Sequence, residues 1–295
     1  MSKVTELGYV GLNISDGDAW RRFAADVAGL EVFDEGEPDR FYLRMDYWHH
    51  RFVMHIGGED DLAYMGWRVA DQDALDEVAG RLNTANIPYR AGTVQEAAER
   101  RVLGLIKLAD PSGNPVELFY GPLIAMDMPF HPGRRMHGKF KTGEEGLGHV
   151  LVHADDPVAS HRFYKLLGLE GFIQYHLNTP IGRAEPTFMH CNDRQHSIAF
   201  GVNGTKRLNH IMLEYTELND LGKAHDVVRS QGIDVALQLG KHSNDEALTF
   251  YFATPSGWLL ELGWGSAKSF SQQQYHTNDV FGHGSEVSGM LDVDL

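Results

Sequence analysis

The chain has 295 residues, a length that suggests two domains and a large buried core. Its 42% hydrophobic content excludes a disordered chain, and its single cysteine, Cys191, excludes a disulfide framework or a multi-thiolate metal site. Against 26 Lys and Arg stand 41 Asp and Glu; the net charge of −15 repels phosphate backbones and anionic lipid, so neither nucleic acid nor a membrane is expected as a partner.

Met1 to Val10 carries no apolar run behind a basic segment, so no secretory leader is expected. No stretch approaches ~20 uninterrupted apolar residues, so no membrane span is expected either. A lone thiol fits a reducing compartment, and the expected location is the cytoplasm. From Gly8, GYVGLNISDGDAWRRFAADVAGLEVF reads as an alternating apolar strand, an acidic turn, an amphipathic helix and a Gly-Leu stop. Gly66 opens GWRVADQDALDEVAGRLNTANIPY, a strand and then a helix ending near Asn86. From Ala109, ADPSGNPVELFYG is a Pro-Ser-Gly turn followed by an apolar strand with one glutamate, Glu117. The stretch Met126 to Glu145, rich in Pro, Gly and basic residues, reads as a linker.

The series then repeats. GHVLVHADDPVASHRFYKLLGLEGF begins at Gly148, HIMLEYTELNDLGKAHDVVRSQGIDV at His210 with its helix ending near Gly232, and ATPSGWLLELGWG at Ala253. Gly66 to His210 and Glu117 to Glu261 are both offsets of 144 residues, and Tyr9 to His149 is 140. A duplicated unit explains such agreement. The strand–helix pattern occurs twice within each copy, which predicts an α+β protein of four strand-rich modules, two per domain. The expected domains are 1–125 and 146–295, joined by a linker over 126–145. The tail after Ser266 is expected to lie loosely on the surface.

Each copy serves as a control for the other. Where the first half has Tyr9, Gly66 and Glu117, the second has His149, His210 and Glu261. Two imidazoles and a carboxylate are the ligand set of the facial triad, which suits non-haem Fe(II) and leaves coordination positions open. Tyrosine and glycine offer no such set, so the first half is expected to be metal-free. The residues alone leave a second reading open, because histidine and glutamate in strands also occur as ordinary buried polar groups with partners. Leu151 shares a strand face with His149.

The segment from His242 to Glu261, HSNDEALTFYFATPSGWLLE, places a histidine, an aromatic pair, a Pro-Ser-Gly turn and a glutamate in sequence. It resembles the signature of the type I extradiol ring-cleavage dioxygenases of the vicinal oxygen chelate superfamily. The resemblance extends to GLGHVLV around His149, QHSIAF around His196, LNHIMLEY around His210 and YLRMD from Tyr42, and so covers nearly the whole chain. It implies a glyoxalase-like fold of βαβββ modules. The layout is most similar to members acting on aryl-substituted or bicyclic catechols, such as dihydroxybiphenyl or dihydroxynaphthalene.

The resemblance implies Fe(II) ligands at His149, His210 and Glu261, with Mn(II) also compatible. It implies an acid–base role for His196, a hydrogen bond from His242 to the bound substrate oxygen, and a hydrogen bond from Tyr251 to the substrate or intermediate. Asn244 and Asp245 fall at the mouth of the pocket. Asn209 stands on the pocket wall, where relatives often carry histidine. The stretch Phe172 to Phe188, with Tyr175, His176, Leu177 and Ile181, reads as a lid or pocket wall. The implied partners are a catechol and O2, with both oxygen atoms inserted as the ring opens beside its two hydroxyls. A homo-oligomer is implied, an octamer among the options. His49, His50, His55, His131, His137, His276 and His283 receive no role and are expected in solvent. Two other functions remain open on this architecture: an isomerase or lyase using another divalent metal, and a non-enzymatic small-molecule-binding protein.

Overall fold

The computed structural model describes residues 3–179, 182–202, 204–269 and 273–284. Four βαβββ modules follow one another along the chain. The first holds β1 (Glu6–Ile14), α1 (Gly17–Arg22), β2 (Glu31–Phe33), β3 (Arg40–Arg44) and β4 (Phe52–Ile56). The second holds β5 (Asp61–Arg68), α2 (Gln72–Thr84), β6 (Tyr89–Ala91), a short α3 (Val94–Glu99), β7 (Gly104–Ala109) and β8 (Pro115–Tyr120). The third holds β9 (His149–His153), α4 (Pro157–Leu167), β10 (Glu170–Tyr175), a small hairpin of β11 (Leu177–Thr179) and β12 (Gly182–Ala184), β13 (Thr187–His190) and β14 (Ile198–Val202). The fourth holds β15 (Leu208–Tyr215), α5 (Leu218–Ser230), β16 (Val235–Lys241), β17 (Leu248–Ala253) and β18 (Leu259–Trp264), after which comes β19 (Gln273–His276).

Local chemistry starts and stops these elements at matching places. The carboxylates of Asp16, Asp71 and Asp156 accept from backbone N–H groups in the first turns of α1, α2 and α4. Each such cap is worth about 1 kcal/mol. The two Gly-Leu stops place Gly29 (φ 81°) and Gly168 (φ 98°) in the left-handed region, where a side chain is strained.

The strands form two large sheets, ordered β2-β3-β4-β1-β5-β8-β7-β6 and β16-β17-β18-β15-β9-β14-β13-β10-β19. In each, two modules meet along one antiparallel pair, β1 with β5 and β9 with β15. Alternation sorts the side chains. Val150 and Val152 enter the main core, whereas His149 and Leu151 point to the opposite face. The main core is continuous across both halves: Trp20 stacks on Trp258 with ring centres 5.2 Å apart, and Trp67 meets Tyr164 at 6.3 Å. The opposite face of the first sheet is filled by Tyr9, Tyr42, Trp48, Tyr64 and Phe119. That of the second carries Leu151, Ile173, Tyr175, Phe188 and Ala199.

The stretch 126–145, between the two halves, packs against both of them. Arg134 donates to the Val27 carbonyl at 3.1 Å and to Tyr215 Oη at 2.9 Å, and buried Phe140 stacks on Tyr215 at 5.1 Å. Its basic and aromatic residues are fasteners between the halves. The expectation of a loose tail needs correction: β19 pairs with β10, and Phe281 bridges Lys241 on β16. Among the described residues, no helix is long and apolar enough to cross a membrane.

Candidate active site

Three neighbouring strands of the second sheet, β9, β15 and β18, carry His149, His210 and Glu261. Their ligand atoms form a nearly equilateral triangle. His149 Nε2 lies 3.2 Å from His210 Nε2, and Glu261 Oε2 lies 3.1 Å from the first and 3.3 Å from the second. All three residues are buried. His210 Nδ1–H donates to Asn209 Oδ1 at 2.9 Å, so His210 Nε2 presents a lone pair. Glu261 Oε2 is buried and makes no hydrogen bond. A lone pair and a buried carboxylate oxygen facing one another need a cation between them. A first-row divalent ion binds imidazole and carboxylate at about 2.0–2.2 Å, and two ligands at right angles on such an ion stand about 3 Å apart. The triangle fits that requirement.

Burial alone would raise the Glu261 carboxyl, but the His149 and His242 imidazoles beside it hold it well below the usual carboxylate range. Burial pushes His210 down to about 3, so it stays neutral and able to coordinate. His196 sits on the turn before β14, its ring centre 3.9 Å from that of His149 and 4.8 Å from that of Phe188. Its Nδ1 lies 2.6 Å from Gln195 Oε1, while its Nε2 is buried with no partner. Burial, then the neighbouring His149, lowers its pKa well below the ordinary value, which keeps the imidazole neutral. Tyr251 faces Glu261 across the β17–β18 ladder, and its Oη lies 2.7 Å from His242 Nε2. His242 Nε2 is also 3.3 Å from Glu261 Oε1.

Other expected site residues fall around this centre. Asp245 is buried, with its Oδ2 4.0 Å from His196 Nδ1, and burial raises its pKa. Asn244 Oδ1 lies 3.3 Å from Tyr175 Oη. Leu151 packs with Ile173, Tyr175 and Phe188, an apolar wall beside His196. Asn209 is exposed and touches the centre through its bond to His210. Of the expected lid, Tyr175, His176 and Leu177 lie on or beside β10 and β11, and Ile181 lies outside the described residues.

The solvated histidines also need correction. His131 and His137 are exposed, but His49, His50, His276 and His283 are buried, and His55 is half-buried. His49 and His50 pack against Tyr42 at 5.1 Å and 5.0 Å, where aromatic faces exclude water. His283 reaches the site itself. Its ring centre is 4.4 Å from that of His242, and its Nδ1 donates to Asp279 Oδ2 at 2.7 Å. Asp279, Thr249 and Gln195 are site neighbours that sequence reasoning missed.

Ladder register corrects the match between the halves. Tyr9 pairs with Gly66 and Gly66 with Glu117, whereas His149 pairs with Met212 and Met212 with Glu261. Gly66 therefore corresponds to Met212, and Tyr64, two residues earlier, to His210. An addition of two residues between α2 and β8, where α3 is inserted, hides this shift. The first half thus sets two tyrosines and a glutamate around the equivalent point. Tyr9 Oη donates to Glu117 Oε2 at 2.7 Å, and the Arg100 guanidinium, just after α3, binds both oxygens at 3.0 and 3.2 Å. A cation occupies the equivalent point, but it is a guanidinium.

Comparison with known proteins accords with this geometry. Residues 7–57 match the family described as dihydroxybiphenyl dioxygenase BphC D1, and residues 146–262 match the glyoxalase/bleomycin resistance protein/dioxygenase superfamily. The chain is 59% identical to a biphenyl-2,3-diol 1,2-dioxygenase of Sphingomonas paucimobilis and 58% identical to a 1,2-dihydroxynaphthalene dioxygenase of Sphingobium xenophagum, each over 100% of both chains. A crystal structure of a catechol 2,3-dioxygenase superposes with a TM-score of 0.97 at 59% identity, covering 100% of this chain and 99% of the other. With its doubled modules and its triad confined to the second half, the chain belongs to the type I extradiol ring-cleavage dioxygenases of the vicinal oxygen chelate superfamily.

Proposed function

We propose that the protein cleaves an aryl-substituted or bicyclic catechol, of the 2,3-dihydroxybiphenyl or 1,2-dihydroxynaphthalene class, beside its two hydroxyls, inserting both atoms of O2. The observation that carries this is the convergence of His149, His210 and Glu261 within 3.3 Å of one another, with His196, His242 and Tyr251 around them. In this reading residues 1–125 are a scaffold domain whose ion position is filled by Arg100, residues 126–145 fasten the halves, and residues 146–295 are the catalytic domain.

Fe(II) is the metal we assign to the triad, and Mn(II) is compatible with the same donors. Bound there, it lowers the substrate hydroxyl pKa from about 10 and supplies the electronic link between diol and oxygen. The protein's own residues do the rest. His196 is neutral, and its unpartnered Nε2 is free to take a hydroxyl proton and later return one. Burial, then Glu261, raises Tyr251 well above 10, so its phenol remains a donor toward a substrate oxygen. His242 supports the deprotonated hydroxyl from the same side as Tyr251. Leu151, Ile173 and Phe188 give an aryl ring an apolar wall, and Asn244, Asp245 and Asn209 set the polar rim. The aryl preference also draws on the substrates named for the 58–59% identical relatives. We further assign the enzyme to the cytoplasm, where the buried thiol Cys191 would stay reduced, and to a homo-oligomer.

The test is anaerobic loading with Fe(II) followed by mixing with candidate diols in air-saturated buffer. One O2 should disappear per diol, with a yellow ring-opened product, and bicyclic or aryl diols should give a higher kcat/KM than catechol. No oxygen uptake with any diol would overturn the assignment in favour of an isomerase, lyase or binding protein.

A further inference from the structure

The C-terminal segment bridges the two edges of the second sheet. β19 extends the sheet beyond β10, and Phe281 then bridges Lys241 on β16, the strand at the other end of the order. Backbone bonds fasten the bridge. Val280 N–H donates to the Lys241 carbonyl and Lys241 N–H to the Phe281 carbonyl, both at 2.8 Å, and Gln238 N–H donates to the Gly284 carbonyl at 3.0 Å. The contact requires bare backbone on both sides. A Cβ on Gly240 would stand 2.5 Å from His283, and one on Gly282 (φ 83°) would stand 2.2 Å from the Leu239 carbonyl oxygen.

This strap brings Asp279 to the site. Its Oδ1 accepts from His242 Nδ1 at 3.1 Å and from Tyr175 Oη at 3.0 Å, and its Oδ2 accepts from His283 Nδ1 at 2.7 Å. His283 Nε2 in turn accepts from Thr249 Oγ1 at 3.1 Å. An ionised carboxylate can only accept, so the contact holds a proton on His242 Nδ1 and turns Nε2 toward Tyr251 and Glu261.

We propose that Asp279, backed by His283, is a positioning residue for ring cleavage: carried in on the strap, it sets the ring orientation of His242 so that Nε2 faces the substrate. The proposal rests on the catalytic role assigned to His242 above.

The test uses the full chain loaded with Fe(II), comparing Asp279→Ala, Asp279→Asn, Gly240→Ala and His242→Gln with 1,2-dihydroxynaphthalene. Iron content, thermal midpoint and a crystal structure of Asp279→Ala are recorded alongside. Orienting partners of a functional imidazole are worth roughly 10–100-fold, so Asp279→Ala should lower kcat at least about tenfold with KM and iron content within about threefold. The His242 ring should be turned in its crystal structure. Asp279→Asn keeps an acceptor oxygen for His242 and offers an N–H to the other tautomer of His283, so it should recover most of kcat. Gly240→Ala alters no polar group but displaces the strap, and it should reproduce the kcat loss. The proposal is overturned if Asp279→Ala keeps wild-type kcat while His242→Gln is impaired. It is equally overturned if both Asp279 variants lose iron and melt early together, since that marks a purely structural role. Should His242→Gln itself keep full kcat, the role of His242 falls, and the proposal falls with it.

Discussion

Arg100→Met probes whether the first half is held together by a guanidinium standing in for an ion. The change leaves the fully buried Glu117 carboxylate with Tyr9 Oη at 2.7 Å and Lys107 Nζ at 3.2 Å. Removing one partner of a buried ion pair costs about 3–5 kcal/mol, because the other charge is left uncompensated. Lys107 remains, though its side chain is 25% exposed, so the low end of about 3 kcal/mol applies. Loss of the guanidinium from the face of Tyr64, 3.9 Å from the ring centre, adds roughly 0.5–1 kcal/mol. At about 2–4 °C per kcal/mol for a unit of this size, the thermal midpoint should fall by roughly 7–16 °C. The double variant Arg100→Met/Glu117→Gln removes both charges, keeps an acceptor for Tyr9, and should regain most of the loss. The assay is a thermal melt of the four combinations as a double-mutant cycle, with kcat measured below the transition. Activity at that temperature should match wild type, because Arg100 lies in the other half of the chain from the triad. A midpoint within about 2 °C of wild type for Arg100→Met, or a double variant no better than the single, would refute the reasoning.

Three further outcomes are expected. His196→Gln should lower kcat by roughly 10²–10⁴ with anaerobic substrate affinity nearly unchanged, as loss of an acid–base group requires; steady-state kinetics showing less than a tenfold drop would remove that role. Divalent metal added to metal-stripped protein should raise the thermal midpoint of wild type by mass action but not that of Glu261→Gln, and equal shifts would place the ion elsewhere. Burial pushes the Cys191 thiol up to about 12, so at pH 8 the folded protein should resist alkylation while the urea-unfolded chain reacts; rapid labelling of the native state would contradict the packing around it.

The positions of His149, His210 and Glu261 were legible because duplication supplied an internal control, and their triangle in the structure follows from adjacent strands. The counterpart of His210 was misread, since two residues added around α3 are invisible to a constant offset and only ladder pairing exposes them. Asp279 and His283 were missed for another reason. They lie in a tail with no copy in the first half, and their contact with His242 spans 37 and 41 residues of chain, so neither period nor repeat could reveal it. Burial of His49 and His50 escaped likewise, because it depends on Tyr9 and Tyr42 from other strands closing over them.

The triad hangs on three strands that are consecutive neighbours in one hydrogen-bonded ladder. The spacing of its donors is therefore inherited from the sheet, and no loop has to fold down to create it. Such a frame outlasts its cargo. An enzyme that has lost its ion still holds its donors at their stations. Replenishment is then a matter of docking, at the pace of ion delivery, with no refolding step to wait for.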